Sequence, residues 1–374
     1  MSELSYLEKL LDGAEVEWLP LSSLCNLITT GKLNANAMED NGAYPFFTCN
    51  EEPYRINTYA FDLEAILISG NGSQVGHLNY YNGKFNAYQR TYILGGFNEN
   101  VDIMYLYYYL MHTLKPYIHK NSRKGSVPYI TMPMLENFKF PIPCPNNLEK
   151  SLAIQSEIVR ILDKFTALTA ELTAELTMRK NQYNYYRDQL LSFDEGEVEW
   201  KTLGEITTKI ASGRNKTRDA DGKFPVYGST GLIGFIDKAA YSGDLLLVAR
   251  VGAYAGLVNA VSGHFDVSDN TLIIHPSDSW NVRFAFHQLR HMNLNQYAVG
   301  AGQPLITGGL LKNLKVPFPS LKEQTRIAKI LDKFETITAS ISEGLPREIE
   351  LRQKQYEYYR DLLFSFPKPD AVSN

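Results

Sequence analysis

The sequence has little that would commit it to secretion, a membrane or a metal. Its three cysteines, Cys25, Cys49 and Cys144, form no CxxC pair and no even-numbered framework. That usage fits a reducing compartment and argues against disulfides and structural zinc. No apolar run reaches the roughly 18 residues of a membrane span. The opening "MSELSYLEKLLDGAEVEW" lacks the basic start and apolar middle of an export signal, so a cytoplasmic location is expected. The seven histidines show no metal-ligand spacing, and no GxSxG nucleophile turn occurs. Nor is there an excess of positive charge: 37 Lys and Arg stand against 41 Asp and Glu, a net charge of -4.

What the sequence does have is itself, twice. "EVEW" at Glu15 to Trp18 returns at Glu197 to Trp200, and from there the halves run in step. "TGK" (Thr30 to Lys32) answers to "SGR" (Ser212 to Arg214), and "YPFFTCN" answers to "FPVYGST". "NGKFNAYQRTYIL" matches "SGHFDVSDNTLII", "GSVPYIT" matches "AGQPLIT", and "FPIP" matches "VPFP". Both halves then pass through "ILDKF", at Ile161 to Phe165 and Ile330 to Phe334. Within each domain, short aliphatic and β-branched runs broken by Gly and Asn predict strands joined by tight turns. "DIMYLYYYLMHTLKPYI" predicts a helix in the first. The expected class is α+β: two repeated mixed α/β domains with mostly antiparallel sheets, and two long helices.

The long helices carry apolar residues spaced by threes and fours. In the first they include Ile154, Ile158, Ile161, Phe165, Leu168, Leu172, Leu176, Tyr183, Tyr186 and Leu190. The second repeats the series from Ile327 through Phe334, Ile341 and Tyr359 to Phe366. This is a coiled-coil seam; a core hairpin or a dimerisation helix would show the same period. Phe165 to Gln182 is 17 positions and Phe334 to Gln355 is 21, a four-residue stutter that keeps the stripe on its face. "TAELTAEL" (Thr169 to Leu176) then reads as a length element. The alternation of domain, helix, domain, helix suggests a calliper, with an antiparallel helix pair holding two domains apart. The divisions are an N-terminal joint with a short helix (1–18), a first domain (19–147), a central helix (148–193), a joint (194–200), a second domain (201–319), a C-terminal helix (320–366) and a tail (367–374).

With the duplicated "ILDKF", the duplicated "YYRD" tails, the Thr-Ala-Glu-Leu repeat and the second domain's "VYGSTGLIG" and "AGQPLIT", nearly the whole chain resembles the specificity subunit of a type I restriction-modification system. The resemblance implies two target-recognition domains, each reading half of a bipartite DNA site. It also implies an antiparallel coiled coil, non-catalytic on its own, that sets the spacer and docks partners. Those partners would be two methyltransferase subunits carrying S-adenosylmethionine, and motor-nuclease subunits using ATP and magnesium. Four helical residues add about 6 Å, close to two base-pair rises of about 3.4 Å each. Two departures stand out: Gly344 and Pro346 interrupt the second seam, where a bend or a fresh helix start is expected, and "FTCNEEPYRI" replaces the more typical "YGSTGLIGFI" in the first domain.

Splitting the charge by domain is informative. Residues 201–319 hold 12 Lys and Arg against 8 Asp and Glu, and 19–147 hold 9 against 9, while the acid excess sits at the joints. Lys32, Lys120, Arg123 and Lys124 in the first domain, and Arg214, Lys216 and Arg218 in the second, are candidate phosphate contacts beside Gly, Asn and Ser. Base reading uses Arg or Lys for guanine and Asn or Gln for adenine. The matched pairs Ser73/Ala253, Gln89/Asp269, Arg90/Asn270 and Val127/Gln303 differ between halves, as two half-sites would require, and Arg250 lies on the hairpin "VARVGAYAG". Asn270 and Gln303 could equally satisfy turn backbone. Tyr185, Tyr186, Tyr358 and Tyr359 are too many for one seam and are candidates for partner docking, or for packing at the helix ends.

Catalysis has no footing in the chain. "NEEPY" (Asn50 to Tyr54) is only superficially like the Asn-Pro-Pro-Tyr of an adenine methyltransferase, and "SGNGSQVG" runs into a strand rather than a helix. Asp194 with "EWK" could suggest a nuclease, but its counterpart is "EWL" in a domain joint. The rival reading from another class is a protein scaffold with two repeated interaction domains on a coiled-coil spacer.

Overall fold

The structure is a computed structural model and describes residues 6–122, 128–194, 196–300, 302–340 and 342–367. The first half runs α1 (Tyr6–Leu11), β1 (Val16–Pro20), β2 (Cys25–Thr30), β3 (Tyr44–Phe47), β4 (Tyr54–Ile56), β5 (Phe61–Ser69), β6 (Leu78–Ala87), β7 (Thr91–Phe97), α2 (Ile103–Asn121), α3 (Met132–Glu136), β8 (Lys139–Pro143) and the long α4 (Leu148–Leu191). The second runs β9 (Glu199–Thr202), α5 (Leu203–Ile206), β10 (Thr207–Ser212), β11 (Phe224–Gly228), β12 (Gly231–Ile236), β13 (Tyr241–Ser242), β14 (Leu245–Ala249), β15 (Val258–Val261), β16 (His264–Val267), β17 (Thr271–Pro276), α6 (Val282–His291), α7 (Gly308–Asn313), β18 (Lys315–Phe318), α8 (Leu321–Ala339) and α9 (Gly344–Leu363). Two compact units result. One joins Met1–Ala170 to Glu350–Asn374, and the other is continuous from Glu171 to Ile349. Among the described residues no helix is long and apolar enough to cross a membrane.

In the first unit the sheet order is β2-β7-β5-β6-β3-β4, antiparallel except where β3 lies beside β6. Side chains alternate across β5, and both faces are covered. Ile66 and Ile68 pack with Leu94 and with Tyr105, Leu106 and Leu110 of α2, while Ala65 and Leu67 pack with Phe47, Phe85 and Ile93 on the opposite face. The α2 start is capped by the Asp102 carboxylate, which accepts from the Met104 and Tyr105 N–H groups at 2.9 and 3.1 Å. Leu7 and Leu11 of α1 join this core, and β1 pairs with β8.

The end of the described chain completes the same core. Leu363, Phe364 and Phe366 are buried with Ile154, Ile158 and Leu162 of α4. The Phe364 ring stands edge-on to Tyr109 at 5.3 Å, and the Trp18 indole N–H donates to the Pro367 carbonyl at 2.9 Å.

The second unit follows the same plan with shorter strands. Its sheets run β10-β17-β14-β15 and β12-β11-β16-β13, and β11 lies parallel to β16 as β3 does to β6. The single β6 of the first unit becomes β15 plus β16. At the matched places stand Gly83 and Gly263, with φ of +130° and +87°, a backbone that glycine adopts readily where the strand must turn from one pairing to the next. The core gathers Leu246, Val248, Leu272, Ile274, Phe284 and Leu289 against Leu191, Ile327 and Leu331.

Each unit takes the start of one long helical run and the end of the other, as an antiparallel pairing requires. In the first, Phe165 of α4 meets Tyr356 and Tyr359 of α9; in the second, Phe334 of α8 meets Tyr183 and Tyr186 of α4. A fully buried glutamine fastens each domain to its helix. Gln155 accepts from the Asp102 N–H and donates to the Asn100 carbonyl, both at 2.9 Å. Gln324 accepts from the Asn281 N–H at 2.8 Å and donates to the Ser279 and Pro319 carbonyls. Its orphaned partners would be costly inside the core.

The four-residue step in the second helix is not a stutter. Helix α8 ends at Ala339 and α9 starts afresh at Gly344, and the four positions between them account for the whole length difference. Gly344 has φ +79°, and a Cβ there would stand 2.3 Å from the Thr336 carbonyl oxygen. Pro346 falls in the first turn of α9, where a missing N–H costs nothing. Ile341, assigned to the seam, lies outside the described residues.

Helix α6 is tied to α8 by a charged cluster. His287 Nε2 lies 2.7 Å from Asp332 Oδ1, Arg283 bonds Asp332 and Glu335 at 2.7 and 2.6 Å, and Arg290 bonds Glu335 at 2.8 Å. Burial lowers the His287 pKa against the opposing pull of Asp332, and burial also lowers those of His275 and His291. The unfolded chain therefore takes up protons near the ordinary histidine pKa of about 6.5 that the folded unit refuses. Stability of this unit is expected to fall as pH drops from 7.5 towards 5, and His287→Gln should flatten that fall. Thermal melts across the range would show it, and a pH-independent midpoint would contradict it.

Candidate nucleic-acid interface

In each unit the strand ends and their loops are knotted together by backbone hydrogen bonds. In the first unit the hub is the turn Tyr88–Arg90 between β6 and β7. The Tyr88 N–H donates to Phe47 O and the Gln89 N–H to Leu33 O, both at 2.9 Å, while Arg90 O accepts from the Gly70 N–H at 2.9 Å. Gly70 O in turn accepts from the Ile130 N–H at 2.9 Å. The ends of β2, β3 and β5 and the segment before α3 thus share one edge.

The second unit repeats three of these bonds and joins the remaining pair of segments by a different one, from Asn215 to Val267. The Ser268 N–H donates to Tyr227 O, the Asn215 N–H to Val267 O and the Arg250 N–H to Asn270 O, all at 2.9 Å, and the Ile306 N–H to Arg250 O at 2.8 Å. The Ser229 hydroxyl adds a bond to Asn270 O at 2.9 Å. The approach is close enough to require glycine: a Cβ on Gly31 would stand 2.0 Å from Ala87 O, and one on Gly213 would stand 2.3 Å from Ser268 O.

The residues singled out from sequence fall around these two hubs. Lys32, Ser73, Gln89 and Arg90 are exposed on the first; Arg214, Lys216, Asn270 and Gln303 are exposed on the second, and Arg250 is partly buried. Arg218 is exposed and lies along Gly234 of β12. Lys120 is exposed at the end of α2, and Arg123, Lys124 and Val127 lie outside the described residues.

Pairing separates these cations from the rest. Most described arginines are engaged within the fold: Arg55 bonds the Gly42 and Ala43 carbonyls, Arg179 bonds Glu175, and Arg326 bonds Glu323. Arg90, Arg214, Arg218 and Arg250 have no hydrogen-bond acceptor or acidic partner for their guanidinium groups among the described residues. Arg90, Arg214 and Arg250 are on the two hubs, and Arg218 lies in the loop that leads from the second hub to β11. Unneutralised guanidinium groups on one edge, held by rigid turns, form a surface for a polyanion.

The tyrosine tails prove to be halves of a repeated clasp. Tyr359 stacks on Phe165 at 5.3 Å and Tyr186 on Phe334 at 5.7 Å, with Tyr358 and Tyr185 edge-on to them. The following aspartates reach the domain helix: Asp361 lies 3.7 Å from His112, and Asp188 lies 3.5 Å from His291. "ILDKF" supplies the ring, "YYRD" the stack and the carboxylate. Tyr185 and Tyr358 remain 61% and 65% exposed, so the clasp leaves an aromatic face open in each unit.

Sequence reasoning missed the His287, Asp332 and Glu335 group, whose ligand atoms lie within 4.8 Å of one another. The Arg283 guanidinium bonds both carboxylates and supplies the positive charge a cation would bring. The available signal was Arg283 and His287 four apart on one helix and Asp332 and Glu335 three apart on another.

Comparison with known proteins places this architecture. A family model described as "Type I restriction modification DNA specificity domain" matches residues 14–178 and again 195–351. The chain is similar to the specificity subunit of an Escherichia coli type I restriction enzyme, 40% identical with all of both chains covered. It is also similar to the EcoprrI specificity subunit of that species, 42% identical over 92% of this chain and 93% of the relative. In fold it is similar to the crystal structure of a type I restriction-modification S subunit from M. genitalium, with a TM-score of 0.66, 18% identity, and 96% and 98% of the two chains covered.

Proposed function

The chain belongs to the family of type I restriction-modification DNA specificity domains, and from that premise we propose how its own residues recognise DNA and with what it assembles. It is a specificity component, not an enzyme. Each unit reads one half of a bipartite site through its knotted loop edge. Lys32 and its counterpart Arg214 hold phosphates and fix register, since the sugar-phosphate backbone is the same at both half-sites. Side chains that differ between the units read the bases.

The observation that carries this reading is the pairing pattern: among the described residues the arginines without an internal partner are Arg90, Arg214 and Arg250 at the two hubs and Arg218 in the loop that follows Arg214. The open aromatic faces at Tyr185 and Tyr186, and at Tyr358 and Tyr359, dock two methyltransferase subunits, to which motor-nuclease subunits are added. S-adenosylmethionine, ATP and Mg belong to those partners. Among the described residues, the metal-like cluster of His287, Asp332 and Glu335 is bridged by Arg283.

The test is long-read methylation sequencing of host DNA, with and without this chain, beside its methyltransferase. A bipartite methylated motif that vanishes with the chain is the expected result. Unchanged methylation with an active methyltransferase would transfer the chain to the scaffold class.

A further inference from the structure

Gly70 and Arg250 occupy the same place in the two units. Both follow the buried strand through the centre of the sheet, β5 or β14. Each donates its N–H to the carbonyl of the residue before the neighbouring strand β7 or β17, Arg90 or Asn270, and each carbonyl accepts from a returning segment at Ile130 or Ile306. The turns beyond also match: Gly76 closes onto Ser69 at 2.8 Å and Gly256 onto Ala249 at 2.9 Å. Yet the first unit has no room for a side chain here. A Cβ on Gly70 would stand 2.4 Å from the Arg90 carbonyl oxygen and 2.7 Å from the Tyr92 ring.

Arg250 is thus held at both its N–H and its C=O, and a bridge between Val251 and Leu305 fixes the next residue. Among the described arginines without a partner it alone is not fully exposed, and its Nε is buried with no acceptor. A guanidinium whose Nε is drawn out of water, on a backbone held at both its N–H and its C=O, is pre-organised for a planar pair of acceptors.

We propose that Arg250 is the side chain by which the second unit reads a guanine in its half-site, through the paired O6 and N7 acceptors of the major-groove edge. This rests on the loop edges being the DNA-reading surface. A phosphate also offers paired oxygens, but phosphates are common to both half-sites, and the cation that serves them has a counterpart in each unit, Lys32 and Arg214. A position that holds arginine in one unit and excludes any side chain in the other belongs to what distinguishes the half-sites.

The experiment expresses the chain with its methyltransferase partner and maps methylated sites for the native protein and for Arg250→Ala, Arg250→Lys and Arg214→Ala. The native motif should contain an invariant G·C pair in one half-site. Arg250→Ala should relax that position alone, by roughly 5- to 150-fold in discrimination, with every other letter and the gap unchanged. Arg250→Lys keeps the charge and fold but loses the two-pronged geometry, and should relax the same position more weakly. Arg214→Ala should reduce methylation at all sites without altering the motif. Two results would overturn the assignment and leave the DNA-reading surface intact: uniform weakening by Arg250→Ala with the motif unchanged, or Arg250→Lys methylating the native motif with full discrimination. Absence of any bipartite motif from the native complex would overturn the underlying reading as well.

Discussion

One further Thr-Ala-Glu-Leu, inserted after Leu176, is expected to widen the gap between the two half-sites by one to two base pairs while leaving both half-sites unchanged. Four residues lengthen an α-helix by about 6 Å, against about 3.4 Å per base pair along each strand. The local chemistry tolerates the addition. In the native helix, Thr169 and Thr177 hydroxyls bond the carbonyls four residues back, Phe165 and Thr173, at 2.9 and 3.0 Å. An added threonine would find the same acceptor, so no polar group is orphaned. Leu168, Leu172 and Leu176 are half-buried at intervals of four, and the inserted leucine continues that row. Mapping methylated sites in a host carrying the variant reads the gap directly. An unchanged gap in an active variant would remove the central helix as the ruler.

A second large effect is expected at the other end of the chain. Phe364→Ala removes a ring that touches Tyr105, Tyr109 and His112, and a buried Phe→Ala change costs about 3–5 kcal/mol. That is a large fraction of the about 5–15 kcal/mol that holds a typical domain folded. Ending the chain after Leu362 takes away Leu363, Phe364 and Phe366 together and should leave the first unit unfolded at 37 °C. Hydrogen exchange would show protection lost from α2 and β8 and kept in β14 and β17 of the second unit, whose core lacks these residues. Equal protection in both units would mean that the end of the chain is ornamental.

Much of this was legible beforehand because repetition is visible without structure. The two domains, the long helices and the duplicated "ILDKF" and "YYRD" all follow from matching one half to the other. The roles within the motifs did not follow. That Tyr359 stacks on Phe165 while Tyr358 stays open depends on which residue of a helical pair faces inward, and two adjacent tyrosines look alike in sequence. The break at Ser340 was announced by Gly344 and Pro346, but a proline in a first turn and one in a helix interior are spelled the same way.

The proposed recognition edge was least legible. Net charge pointed away from DNA, and counting cations could not separate Arg55, spent on two carbonyls, from Arg90, which is not. Pairing is a property of the fold, set by which acid or carbonyl the topology brings within reach. The buried Gln155 and Gln324 were overlooked for the same reason: a glutamine in an amphipathic helix reads as surface until its backbone partners are known.

The first unit is built from both ends of the chain, and this bears on how the protein is made. The second unit is continuous in sequence and can close as soon as Ile349 has left the ribosome. The first is translated earlier and must wait. At about 5–20 residues per second, the sides of Tyr105 and Tyr109 that meet Phe364 stay uncovered for roughly thirteen to fifty seconds until it emerges. The half whose synthesis starts first is therefore the last to be completed.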